Sequence, residues 1–204
     1  MSDHKYKYNA SPDPYCYEGS KVLKNKFGLT DALELEEAER KHTANRMGIL
    51  LLQPISGRFG FAHLKSIHKV VFSDVYVWAG KPRTHGFISK GGTIFCKAEY
   101  IDSEAARIFN DLSSENKLRG LPFDEFVSRL VYYASEINAL HPFREGNGRT
   151  IREFIRQLAA YNGYAMHWHL VSGETLLNAD VLAFVRDYEP LKAVYSQILK
   201  KYTE

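Results

Sequence analysis

The stretch HPFREGNGRTIR, residues 141–152, decides how this chain is read. It gathers a histidine, a carboxylate, two glycines, an asparagine and arginines between two segments of helical period. Upstream, Phe126, Leu130, Tyr133 and Ile137 recur on one face and predict a helix over 122–140, with Pro122 in its first turn. Downstream, Ile151, Phe154, Ile155 and Leu158 form the apolar stripe of a helix from about Arg149 to Tyr161, and Gly163 stands where a C-terminal cap belongs. The stretch therefore lies at a helix N-terminus, where unpaired N–H groups and the positive end of the macrodipole favour an anion.

Each residue type in it has a task at such a site. Gly146-Asn147-Gly148 lets the backbone approach a phosphate closely. Arg149, Arg152 and Arg156, at spacings of three and four, share a helix face and can neutralise more distal phosphates. Glu145 is placed to hold Mg²⁺ against phosphate oxygens. His141 leaves the preceding helix at a His-Pro step and is a natural general base for a hydroxyl. Phosphoryl or nucleotidyl transfer is the implied chemistry. Singly, a glycine-rich turn, a His-Pro helix end and helical arginines are ordinary surface features; packing alone does not bring them together within twelve residues.

Outward from this centre the chain reads as mostly helical. A helix from Thr30, with Thr30 as cap, runs through Leu52 to the stop at Pro54, and Gly57 to Gly60 make a turn. Leu64, Ile67, Val70, Val71 and Val75 predict a second helix ending near Trp78-Ala79-Gly80. Further helices are expected over 102–112 and after Pro190. Residues 83–97 change period and predict a β-hairpin turning at Lys90-Gly91-Gly92. The first 20 residues, with Pro12, Pro14 and Gly19, read as an extended surface arm.

With 204 residues, 45% of them hydrophobic, the chain suffices for one globular domain over 1–204. Its net charge of +3, from 27 basic and 24 acidic residues without a cluster, argues against direct nucleic-acid binding. The fully apolar runs, Ile49 to Leu52 and Val181 to Val185 among them, are too short for a membrane span, and no signal peptide is visible. Cys16 and Cys96 form no CxxC unit. His167 and His169 have the spacing of strand metal ligands but lack a third partner, which makes a metal-dependent hydrolase the weaker rival.

The stretch 141–152 resembles the signature of Fic-domain proteins, HxFx(D/E)GNGRxxR, at every fixed position. IHKVVFSDVYVWAGKPR (67–83) and DPYCYEGSKVLKNKFG (13–28) resemble bacterial members as well. The resemblance implies an all-α fold with a small β-hairpin flap over the active site, and transfer of AMP from MgATP to a Tyr, Thr or Ser hydroxyl of a target protein. On that resemblance His141 is the catalytic base and Glu145 the metal residue. Gly146, Asn147 and Gly148 form the anion hole, Arg149 and Arg152 hold the outer phosphates, and Phe143 anchors the loop. Flap residues Ile88, Ser89, Lys90, Thr93, Ile94 and Phe95 dock the target. Gly148, where the family's Doc-type kinases have a lysine, favours AMP transfer over phosphorylation.

The self-inhibitory motif (S/T)xxxE(G/N) of many members has no match in this sequence. The resemblance then implies a subclass silenced by a separate small antitoxin that supplies the glutamate. It implies either a toxin acting on DNA gyrase and topoisomerase IV in the bacterial cytoplasm or the catalytic domain of an effector modifying small GTPases in a host cytosol. A catalytically silent nucleotide-binding module is a remoter alternative, disfavoured by the presence of His141 and both arginines.

Overall fold

A computed structural model describes residues 7–9, 13–90 and 93–202. Gly91 and Gly92, the expected hairpin turn, lie outside them, as do the first six residues of the arm. Among the described residues seven α-helices surround a contiguous apolar core: α1 (Ala32–Leu52), α2 (Phe61–Phe72), α3 (Ile101–Ser114), α4 (Phe123–Leu140), α5 (Asn147–Tyr161), α6 (Gly173–Phe184) and α7 (Glu189–Ile198). No helix is long and apolar enough to cross a membrane among these residues.

Helix α5 is the central element. Phe154, Ile155, Leu158 and Ala159 are fully buried on it, and so are the polar Thr150 and Glu153, because α2 and α4 pack against it from two sides. Burying a phenylalanine such as Phe154 contributes roughly 2–3 kcal/mol. Helix α1 leans on α2, α3 on α4, and α6 and α7 pair with each other beside α4.

Several boundaries differ from the sequence reading. Asp31, not Thr30, caps α1: its carboxylate accepts from the Leu33 and Glu34 amides. Helix α2 stops at Phe72, yet Val75 and Tyr76 stay buried in the turns that follow, so apolar spacing outlasts the helix. Helix α5 begins two residues earlier than expected, at Asn147, and Pro122 is the N-cap of α4 and not part of its first turn. Helix α6 was not anticipated at all. Val181 and Leu182 are exposed on it while Leu176, Ala179 and Ala183 are buried, so its apolar residues face every direction and leave no single stripe.

The flap is three-stranded. Strand β1 (Lys7–Tyr8) pairs antiparallel with β2 (Ile88–Lys90), which pairs antiparallel with β3 (Thr93–Ile94). The other described residues of 83–97 are not strand. The arm thus forms part of the structure: past β1, Tyr15 packs edge-on against Trp78 and the Lys26 amide bonds the Val75 carbonyl at 2.8 Å. Two further strands absent from the sequence reading, β4 (Tyr164–Met166) and β5 (Leu199–Lys201), pair antiparallel at the far end of α5.

Candidate active site

The loop between α4 and α5 is held from every side. His141 ends α4 in the left-handed region (φ 44°), where a His-Pro step removes the option of continuing the helix. Two residues on, Phe143 is fully buried, its ring stacked 3.8 Å from that of His68. The Asn147 side chain closes the loop on itself, accepting from the Phe143 amide at 2.9 Å and donating to the Phe143 carbonyl at 2.8 Å. Gly146 takes φ +83°, and a Cβ there would lie 2.1 Å from the Phe72 ring, so only glycine fits.

Two buried residues outside the motif, His68 and Arg83, and one within it, Arg144, complete this frame. His68 accepts at Nδ1 from the Gly80 amide (2.7 Å), which assigns the proton to Nε2, and Nε2–H donates to the Glu145 carbonyl at 3.0 Å. Burial pushes the His68 ring down to about 4, so this tautomer is neutral. Arg83, 2% exposed, donates to the carbonyls of His141 (3.0 Å), Gly86 (3.0 Å) and Cys96, binding the end of α4 to both ends of the flap. Arg144 turns back to Asp13 of the arm at 2.8 Å, with its guanidinium over the Tyr8 ring.

His141 is 2% exposed, and it lines a cavity of about 200 Å³ together with the run from Arg144 to Arg149 and Arg152. Its ring stacks 3.8 Å from Phe95 of the flap. Nδ1 faces the Asn138 carbonyl at 3.2 Å, which places the proton on Nδ1 and leaves the Nε2 lone pair as acceptor. Desolvation drives its pKa down to about 3, so the imidazole is an unprotonated base.

The carboxylate of Glu145 accepts from its neighbour's amide, Gly146 N–H, at 2.8 Å. That amide is therefore engaged, whereas the first-turn amides of α5 from Asn147 onward have no intrahelical acceptor. Gly146 is one of the three amides expected in the anion hole, and here its N–H faces the Glu145 carboxylate. Burial and the nearby Glu39 raise the Glu145 pKa, while 29% of the side chain stays open, enough for a cation to reach it. One carboxylate beside a phosphate-sized cavity suits Mg²⁺, which takes most of its ligands from phosphate and water.

Arg149 also differs from the expected picture. Its guanidinium donates to Glu39 (2.5 Å) and Thr43 (3.0 Å) of α1 and rests over the Phe72 ring, with Glu145 at 3.7 Å. Tyr76 OH bonds the same Glu39 carboxylate. Arg149 is thus an arginine fastened in place at the cavity wall. Arg156 is absent from that wall: Glu153 holds it at 2.7 Å and it donates to the Leu50 carbonyl, so its expected role at distal phosphates is not supported by its position. Arg152 lines the first cavity and an adjoining one of about 640 Å³ between the flap and α6; at Gly148, shared by both, a Cβ would stand 3.3 Å from the Arg152 guanidinium.

The six flap residues expected to dock a target divide. Ile88 and Phe95 are buried. The outer edge of β2 is taken by β1, through Ile88 and Ser89, so main-chain groups there have no room for a partner. Lys90 faces the larger cavity. Phe95 N–H bonds Ile88, and by antiparallel alternation the Ile94 main chain points away from β2; the open edge is Thr93–Ile94, with Ile94 58% exposed. His68, Arg83, Glu39 and Asp13 were missed by sequence reasoning because each acts through a partner distant along the chain.

Residues 58–159 match the model of the Fic/DOC family. A protein adenylyltransferase of Bartonella schoenbuchensis, VbhT, is 40% identical over 97% of this chain, which spans only 41% of that relative's length. A probable protein adenylyltransferase Fic of Salmonella typhimurium is 37% identical over the whole chain and 99% of its own length. In structure, the ADP-bound N-terminal Fic domain of a VirB-translocated effector from Bartonella quintana superposes with a TM-score of 0.86 at 29% identity, covering 93% of this chain and 95% of that one. By sequence and by fold, the chain belongs to the Fic/DOC family.

Proposed function

We propose that this site transfers AMP from ATP to a hydroxyl side chain of a target protein. The carrying observation is the His141 ring, its Nδ1 turned to the Asn138 carbonyl, on the wall of the same cavity as the first-turn residues of α5. The target oxygen gives its proton to His141 Nε2 and attacks the α-phosphorus; the bond to the pyrophosphate oxygen breaks, and AMP is left esterified to the target. The Asn138 carbonyl, accepting from Nδ1–H, stabilises the imidazolium as it forms. The amides of Asn147 and Gly148 take the charge growing on the phosphoryl oxygens. Arg149, held by Glu39 and Thr43, and Arg152 balance the outer phosphates. Glu145 holds Mg²⁺, which neutralises phosphate charge when bound.

The adjoining cavity takes the nucleoside, whose base lies against Trp168, Leu176 and Leu177. Nucleotide occupancy is supported by the ADP held by the Bartonella quintana relative. The target adds an extended segment to the Thr93–Ile94 edge, which aligns its hydroxyl by main-chain hydrogen bonds. A separate small antitoxin silences the enzyme by placing a glutamate opposite Arg152. The first-choice targets are DNA gyrase and topoisomerase IV in the bacterial cytoplasm. The likeness to a translocated effector favours a second reading, host small GTPases in the host cytosol.

The test is labelling of bacterial and animal lysates with α-³²P-ATP and γ-³²P-ATP in parallel. Label from the α position alone, on a discrete band and absent with His141→Ala, is expected. Label from the γ position alone would replace AMP transfer by phosphorylation, and undiminished labelling by His141→Ala would remove the base.

A further inference from the structure

Helix α6 sets one acidic residue in the wall of the larger cavity. Asp180 lines it with Arg152, Lys90 and Gly148, beside Leu176, Leu177, Asn178 and Val181 of its own helix, and its charge is felt by the buried Tyr195 phenol of α7. Among the described residues its carboxylate makes no hydrogen bond or close ion pair. Burial pushes its pKa up to about 6, opposed by the positive charge of Arg152 and Lys90. A carboxylate largely enclosed and unbonded on the protein side is an acceptor waiting for a donor.

Its place along α6 says which part of a nucleotide it meets. Phe184 lies edge-on to Phe95 at 5.7 Å, and Phe95 stacks on His141, so this end of α6 adjoins the transfer site. Asp180 stands one turn, about 6 Å, before Phe184, and Leu176 a further turn away beside Trp168. Outward from His141 the order is phosphate, Asp180, then an apolar wall suited to a base. A phosphate is repelled by a carboxylate. The group between phosphate and base is the sugar, and its hydroxyls are donors.

We propose that Asp180 accepts hydrogen bonds from the ribose hydroxyls of the bound nucleotide and so makes the site select ribonucleoside over deoxyribonucleoside triphosphates. This rests on the nucleotide reading above. It assigns Asp180 to substrate specificity, and it gives α6, silent in sequence, a task beyond covering the core.

Isothermal titration calorimetry with Mg²⁺ tests it without a target protein, using ATP, 2′-deoxy-ATP, 3′-deoxy-ATP and ITP against the wild type, Asp180→Ala and Asp180→Asn. The wild type is expected to bind at least one deoxy analogue about tenfold more weakly than ATP, a difference of about 1.4 kcal/mol. Asp180→Ala is expected to lose the same factor for ATP and to bind that analogue as the wild type does, and Asp180→Asn to fall between. Because the analogues probe the unaltered protein, the result does not depend on the variants folding. Equal affinity of the wild type for ATP and both deoxy analogues would overturn the proposal. So would an Asp180→Ala loss equal for all three, or a penalty confined to ITP, which would turn the carboxylate toward the adenine amine. Failure of the wild type to bind MgATP at all would sink the nucleotide reading itself, and this inference with it.

Discussion

At the scale of single residues, the active-site loop works because its polar groups have assigned partners. His141 gives its Nδ1 proton to the Asn138 carbonyl, and His68 spends both its ring nitrogens on backbone. Arg149 is positioned by α1, so Glu39 and Arg149 act as one unit. Glu39→Ala and Arg149→Ala should each destabilise the protein by roughly 1–3 kcal/mol, since each takes the closest ion-pair partner from a largely buried charge. The double variant should lose clearly less than the sum; additive losses in urea unfolding would mean the pair is not coupled. Gly146→Ala meets both a left-handed backbone and the Phe72 ring, and a loss on the order of 3 kcal/mol is expected by the same measurement. A loss under about 1 kcal/mol would show that the loop relaxes easily and is not held as described.

Elements supply direction. The N-terminus of α5 aims its amides into the cavity while its apolar stripe anchors in the core, so the anion site inherits the rigidity of the most buried helix. The flap is stiffened on one side by β1 and open on the other. Ile94→Pro removes an outward N–H without touching the β2 ladder. Target labelling should fall several-fold in this variant while MgATP affinity holds. Unchanged labelling with intact nucleotide binding would move the docking site off this edge.

Across the whole molecule, burying neutral histidines ties stability to pH. The His68 ring takes its proton only near pH 4 when folded and near 6.5 when unfolded. In between, the unfolded chain binds more protons, so stability falls as the pH drops below 6.5. From 6.5 to 5 the cost of His68 alone is roughly 2 kcal/mol. His141, lowered to about 3, acts in the same direction. Urea midpoints at pH 7.5 and pH 5 should therefore separate widely for the wild type and less for His68→Gln. An equal separation would show that other groups carry the acid sensitivity.

How much of this was legible beforehand depended on range along the chain. Helices α4 and α5 and the motif between them could be read directly, because spacing, His-Pro and Gly-Asn-Gly are local instructions to the backbone. Helix α6 could not, since residues apolar on every side carry no period. The pairing of β1 with β2 joins segments about eighty residues apart. Arg149 meets Glu39 across 110 positions and Arg144 meets Asp13 across 131, and no pattern in either segment announces the other. The sequence by itself determined the local chemistry: which groups stand at a helix start and what they can bind. Only the tertiary structure decided which of them are open to a ligand and which are spent on neighbours, because burial and distant partners are properties of the packed chain.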